Sequence, residues 1–74
     1  MYTGYYISGG HIYGVNGYTK SWIDDSGYIY KIGKGNTSYY IQDNCIYSFS
    51  NGGYSQFYID GDHIYGPSRN LPWM

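Results

Sequence analysis

The sequence predicts an all-β fold: an antiparallel meander of four tandem β-hairpin repeats with a period of about seventeen residues, forming a small barrel or strongly curled sheet. Three observations carry this reading. The pattern aromatic, Ile, short polar turn, Ile, Tyr occurs four times, as Tyr6–Tyr13, Trp22–Tyr30, Tyr40–Tyr47 and Tyr58–Tyr65. Turn-forming residues separate the copies at regular intervals. No segment shows a helical period with caps. The whole chain, 1–74, reads as a single domain, with repeats at about 5–17, 21–34, 39–51 and 57–67 and a terminal half-repeat at 70–74.

Each hairpin follows from its turn. Gly9-Gly10, Asp43-Asn44 and Gly61-Asp62 suit two-residue loops, because Gly, Asn and Asp tolerate the positive φ angles of the favoured hairpin turns. That register sets Ile7 opposite Ile12, Ile41 opposite Ile46 and Ile59 opposite Ile64, with Tyr6–Tyr13, Tyr40–Tyr47 and Tyr58–Tyr65 one step further out. The second copy has one extra residue, and Asp25-Ser26-Gly27 suits a three-residue loop with Gly in the left-handed position. Ile23 then still meets Ile29, and Trp22 meets Tyr30.

The first strand of the unit returns at Tyr2–Ile7, Tyr18–Ile23, Asn36–Ile41 and Tyr54–Ile59, and in truncated form at Asn70–Met74. The chain therefore holds eight or nine short strands. The last copy would either complete a ring or cap an open array. Asn16-Gly17, Lys34-Gly35-Asn36 and Asn51-Gly52-Gly53 link the hairpins, and Gly66-Pro67-Ser68-Arg69-Asn70 forms the fourth link. Pro72 suits an edge or an ending, since it donates no ladder hydrogen bond.

Alternation along a strand sends adjacent Ile and Tyr to opposite faces. The Ile face, with Tyr5, Tyr39, Phe57 and the small residues Gly14, Ser21 and Ser38, would fill a narrow barrel interior. The aromatics then face outward, where the hydroxyls of thirteen Tyr are easier to satisfy than in a core.

Function is thinner. Charged residues are 12% of the chain and net charge is −1, which favours neither nucleic acid nor an anionic membrane as partner. No apolar run reaches membrane-spanning length, so no insertion is expected, and no N-terminal basic-then-apolar signal is present; the compartment stays unassigned. Cys45 is the only cysteine, so no internal disulfide forms. His11 and His63 share one slot of the first and last repeats and would approach each other in a closed sheet, near Asp60 and Asp62. No spacing there guarantees three or four converging ligands, so no metal or cofactor is expected. Cys45 with His63 lacks an orienting third group, and the Asp residues are explained by their turns; no catalytic residue is assigned and no enzyme is expected.

A non-catalytic binding module fits better. Repeated aromatics beside Asp, Asn, Gln and Ser suit carbohydrate, whose apolar ring face stacks on Tyr or Trp while polar neighbours take its hydroxyls. The candidate ligand-binding residues are Tyr6, Tyr13, Trp22, Tyr30, Tyr40, Tyr47, Tyr58, Tyr65 and Trp73, giving weak parallel sites that gain by avidity. The hairpin grammar, notably Thr3-Gly4-Tyr5 and Gly27-Tyr28-Ile29-Tyr30, loosely resembles the repeats of bacterial choline- and glucan-binding proteins over most of the chain. The present repeat is shorter and places Ile where those carry the first aromatic of the second strand. The alternative is a structural or self-assembling homo-oligomer that uses the aromatic face or its edge strands as interface.

Overall fold

In a computed structural model, which describes residues 1–50 and 52–74, eight antiparallel strands run in sequence order around a closed barrel. They are β1 (Tyr2–Ser8), β2 (His11–Gly14), β3 (Gly17–Ile23), β4 (Tyr28–Lys31), β5 (Gly35–Gln42), β6 (Cys45–Ser48), β7 (Gly53–Asp60) and β8 (His63–Tyr65). The Asn51 part of the third expected link lies outside the described residues.

The hairpin registers are those the turns dictate. Ile7 pairs with Ile12, Ile23 with Ile29, Ile41 with Ile46 and Ile59 with Ile64. Both residues of each two-residue loop have positive φ, as at Asp43 (53°) and Asn44 (65°). In the longer loop Gly27 takes φ 90°. There the Asp24 carboxylate accepts the amides of Ser26 (2.9 Å) and Tyr28 (3.0 Å).

Between hairpins the ladders are bulged, and four bulges share one construction. The residue after a hydroxyl-bearing side chain adopts positive φ: Gly4 (90°), Lys20 (70°), Ser38 (72°) and Gln56 (72°). The hydroxyls of Thr3, Thr19, Thr37 and Ser55 donate to the carbonyls of Ile64, Ile12, Ile29 and Ile46 across the seam, at 2.6–2.7 Å. Each also accepts the amide two residues on, from Tyr5, Ser21, Tyr39 and Phe57. One hydroxyl thus fills the gap that the extra bulge residue opens in the ladder. Ser38, expected on the inner face, is instead such an unpaired bulge residue.

Closure joins β1 to β8 by the same bulged seam, so every strand has two neighbours. No terminal edge survives, and Asn70–Met74 adds no strand. β1 already occupies the place beside β8, and Pro72 has no amide to give a ladder. The tail instead turns into the open end of the barrel, burying Leu71 and Trp73. The indole N–H of Trp73 donates to the Ser21 hydroxyl at 3.3 Å, and its ring meets Tyr39 at 5.5 Å.

The Ile face is the inside. Ile12, Ile29, Ile46 and Ile64 are fully buried, with Ile7, Ile23, Ile41 and Ile59 packed against them. Below this layer, large and small residues face each other: Tyr5 with Gly14, Tyr39 with Ser48, Phe57 with Gly66. The fourth pair is Ser21 with Lys31, and Trp73 fills the space that Ser21 leaves. An eight-stranded barrel is just wide enough to be filled this way. Among the described residues every buried side-chain polar atom has a hydrogen-bond partner.

Candidate functional site

The hairpin turns and the Ile pairs place the aromatics on the outer wall. Within each hairpin one ring stacks on its cross-strand partner: Tyr6 on Tyr13 (5.6 Å), Trp22 on Tyr30 (4.6 Å), Tyr40 on Tyr47 (5.4 Å) and Tyr58 on Tyr65 (5.4 Å). The planes lie within 17° of parallel in all four. Offset stacking of this kind adds roughly 0.5–1.5 kcal/mol beyond area burial.

Bulged seams extend the stacks by one ring. Tyr13 meets Tyr18, Tyr47 meets Tyr54, and Tyr65 meets Tyr2 at 5.4–5.7 Å. Asn36, the Cα partner of Tyr30, holds that position beside the Trp22–Tyr30 stack. Of the residues before each Ile-Tyr, His63 joins two stacks, while His11 and Tyr28 each extend one. His63 touches Tyr2 and Tyr6, and His11 touches Tyr18. One run of eight rings therefore passes through Tyr58, Tyr65, Tyr2, His63, Tyr6, Tyr13, Tyr18 and His11. A second joins Tyr28, Tyr40, Tyr47 and Tyr54, with Phe49 laid over Tyr40 at 4.5 Å.

Eight of the nine sequence-predicted residues lie on this belt. Tyr6 and Tyr58 are exposed, while Tyr13, Trp22, Tyr30, Tyr40, Tyr47 and Tyr65 are half-buried. Trp73 is the correction: it is 3% exposed, inside the barrel end, because the tail is a plug and not a fifth first strand. Reading residue by residue missed Tyr2, Tyr18 and Tyr54. The repeat alignment carried their signal, since they occupy one slot of three first strands.

The Trp22–Tyr30 stack carries the nearest charge. Amide hydrogen bonds, chiefly from Tyr28, hold the Asp24 carboxyl below its ordinary value against the opposing effect of desolvation. Desolvation, reinforced by Asp24, pushes the Tyr30 hydroxyl up. An ionised acceptor thus stands beside a neutral phenol at the edge of an indole. Desolvation, with Cys45 next, likewise raises Tyr47 and Tyr54.

Of the other constellations, Asp60 is the Cα partner of His63, while Cys45 and the two histidines stand on three different strands. Cys45 lies beside Tyr47 and Tyr54, whereas His63 packs on Tyr2 and Tyr6 across a different seam. His11 and His63 flank β1 on its two sides, opposite Ser8 and Tyr6. Among the described residues no three His, Cys, Asp or Glu side chains gather into a metal-sized cluster. No protein-family profile, characterised protein or solved structure matches the chain.

Proposed function

We propose that the chain is a non-catalytic binding module that takes carbohydrate on its outer aromatic belt. The observation that carries this reading is the Trp22–Tyr30 stack with Asp24 at its edge. Rings stacked on one another cover each other's faces, so the middle of a long run offers mainly edges and hydroxyls. Trp22 has Tyr30 as its ring partner among the described residues, and in the proposed mode a sugar ring stacks on the other side of the half-buried indole, toward His11 of β2. Asp24, whose Oδ1 accepts the Ser26 and Tyr28 amides, and Asn36, whose Oδ1 accepts the Ser38 amide, would offer their remaining polar atoms to sugar hydroxyls, and related stacks at the other hairpins would add avidity.

The test is a glycan array that includes cell-wall fragments, with mass measured by light scattering on the same sample. Saturable binding that Trp22→Ala lowers at least tenfold is the expected result; tenfold corresponds to about 1.4 kcal/mol. Absence of binding together with a stable oligomer would instead favour the belt as a contact between copies, since the closed barrel leaves no edge strand to pair among the described residues.

A further inference from the structure

The two ends of the barrel differ in chemistry. Hairpin turns lie at one rim and the links between hairpins at the other. All five carboxylates of the side chains, Asp24, Asp25, Asp43, Asp60 and Asp62, belong to the turn rim. All four permanent cations belong to the link rim. Lys34 and Arg69 sit in links, Lys31 ends β4, and the Lys20 carbonyl accepts the amide of the link residue Ile32 at 2.8 Å. Met1 also lies at the link rim, its amino group donating to the Gly66 carbonyl at 2.9 Å. A chain of net charge −1 is therefore strongly polarised.

Apolar side chains gather at the same cationic rim. The first residue after each Ile-Tyr-x is apolar in every repeat: Val15, Ile32, Phe49 and Pro67. Val15 is 95% exposed and Ile32 57% exposed, and Met1, which bonds Gly66 at the same rim, is 65% exposed. Phe49 folds back on Tyr40, but the others have no such cover. Val15 and Arg69 also share the wall of a groove of about 450 Å³ with Tyr2 and Tyr5. Single exposed apolar residues need no explanation, but several of them at equivalent positions, on the rim that also carries every cation, at the second and fourth links, do.

We infer that the link rim is a docking face for an anionic lipid surface, on which the barrel stands end-on without inserting. Aliphatic tips that enter the headgroup boundary, flanked by Lys and Arg, are what interfacial adsorption requires. Cationic side chains draw the rim toward anionic headgroups, and the acidic rim is turned away by the same field. Other occupants account for only half of the pattern. Val and Ile offer a sugar no flat face. The acidic rim of a second copy would match the charge, but its turns of Gly, Asp, Asn and Ser give the apolar tips nothing to pack on. This inference is independent of the aromatic belt, which lies on the side wall.

The test is co-sedimentation with vesicles of phosphatidylcholine alone and of phosphatidylcholine mixed with phosphatidylserine. Pelleting is expected with the anionic vesicles only, and should fade as salt rises well above about 0.15 M. Lys31→Gln, Lys34→Gln and Arg69→Gln should each lower partitioning about fivefold. Ile32→Asp should lower it further, and Asp43→Asn at the far rim should leave it unchanged. Unaltered emission from buried Trp73 would show that each variant is folded. Equal binding to neutral vesicles, no binding to either, or indifference to Arg69→Gln and Ile32→Asp would overturn the inference. So would salt-sensitive pelleting without vesicles, which would mean head-to-tail association of copies.

Discussion

At the scale of single residues, the inner layer is set by volume. A Cβ on Gly66 would overlap the Phe57 ring at Cδ2, and one on Gly14 would lie 2.8 Å from Tyr5 Cε1. Gly66 has no unusual φ, so its requirement is space alone. Gly66→Ala should cost about 1–3 kcal/mol through overpacking, read as a lower midpoint in thermal unfolding. Phe57→Leu on that background should recover part of the loss, which a purely conformational effect would not allow. This pairing was legible in the sequence. Extending the Ile–Ile and Tyr–Tyr register by one step sets Tyr5 against Gly14, Tyr39 against Ser48 and Phe57 against Gly66. The aromatic belt was legible by the same alternation, down to its four stacked pairs.

At the scale of elements, the bulged seams were not legible. Hairpin turns announce themselves through Gly, Asn and Asp. The bulges place Lys20, Ser38 and Gln56 at positive φ, where only Gly4 gave the usual signal. Tertiary pairing overrides local preference here, and the hydroxyls of Thr3, Thr19, Thr37 and Ser55 make it tolerable. Two opposite substitutions separate those terms. Gln56→Gly should stabilise by up to about 1 kcal/mol, since a left-handed L-residue costs roughly 1–2 kcal/mol and Gly gives back part of that in chain entropy. Ser55→Ala should destabilise by about 1–3 kcal/mol, because the Ile46 carbonyl and the Phe57 amide lose their common partner. Chemical denaturation of both variants checks the pair, and equal shifts of one sign would refute this division of roles.

For the whole molecule, the tail and the charge distribution matter most. Trp73→Ala should cost about 3–5 kcal/mol, a large part of the 5–15 kcal/mol that holds an ordinary domain together. Calorimetry on the 74-residue chain measures it, and a near-zero change would mean that the plug is not coupled to the barrel. Position 73 misled the sequence reading because Asn70–Met74 looks like a truncated first strand ending in an aromatic; counted from Asn70, however, Trp73 falls in the slot of Ser21 and Phe57, not of Trp22 and Tyr58. What differs is context: no strand remains for it to pair with once β1 has closed on β8. Net charge also hides how the charges are placed. A balance near zero favours neither nucleic acid nor an anionic membrane, but it does not show that the turns hold or adjoin every Asp and the links hold or adjoin every Lys and Arg. That separation is visible in the sequence only after the strands have been assigned their ends.

The small residue at Ser21 has a consequence for the uniqueness of the native state. Four hairpins built alike offer the tail four quadrants in which to settle, a degeneracy that would leave the protein a mixture of slowly exchanging isomers. Three quadrants are already occupied from within, by Tyr5, Tyr39 and Phe57. Only the Ser21 quadrant has both a vacancy and a hydroxyl for the indole N–H, so one departure from repetition singles out one conformer.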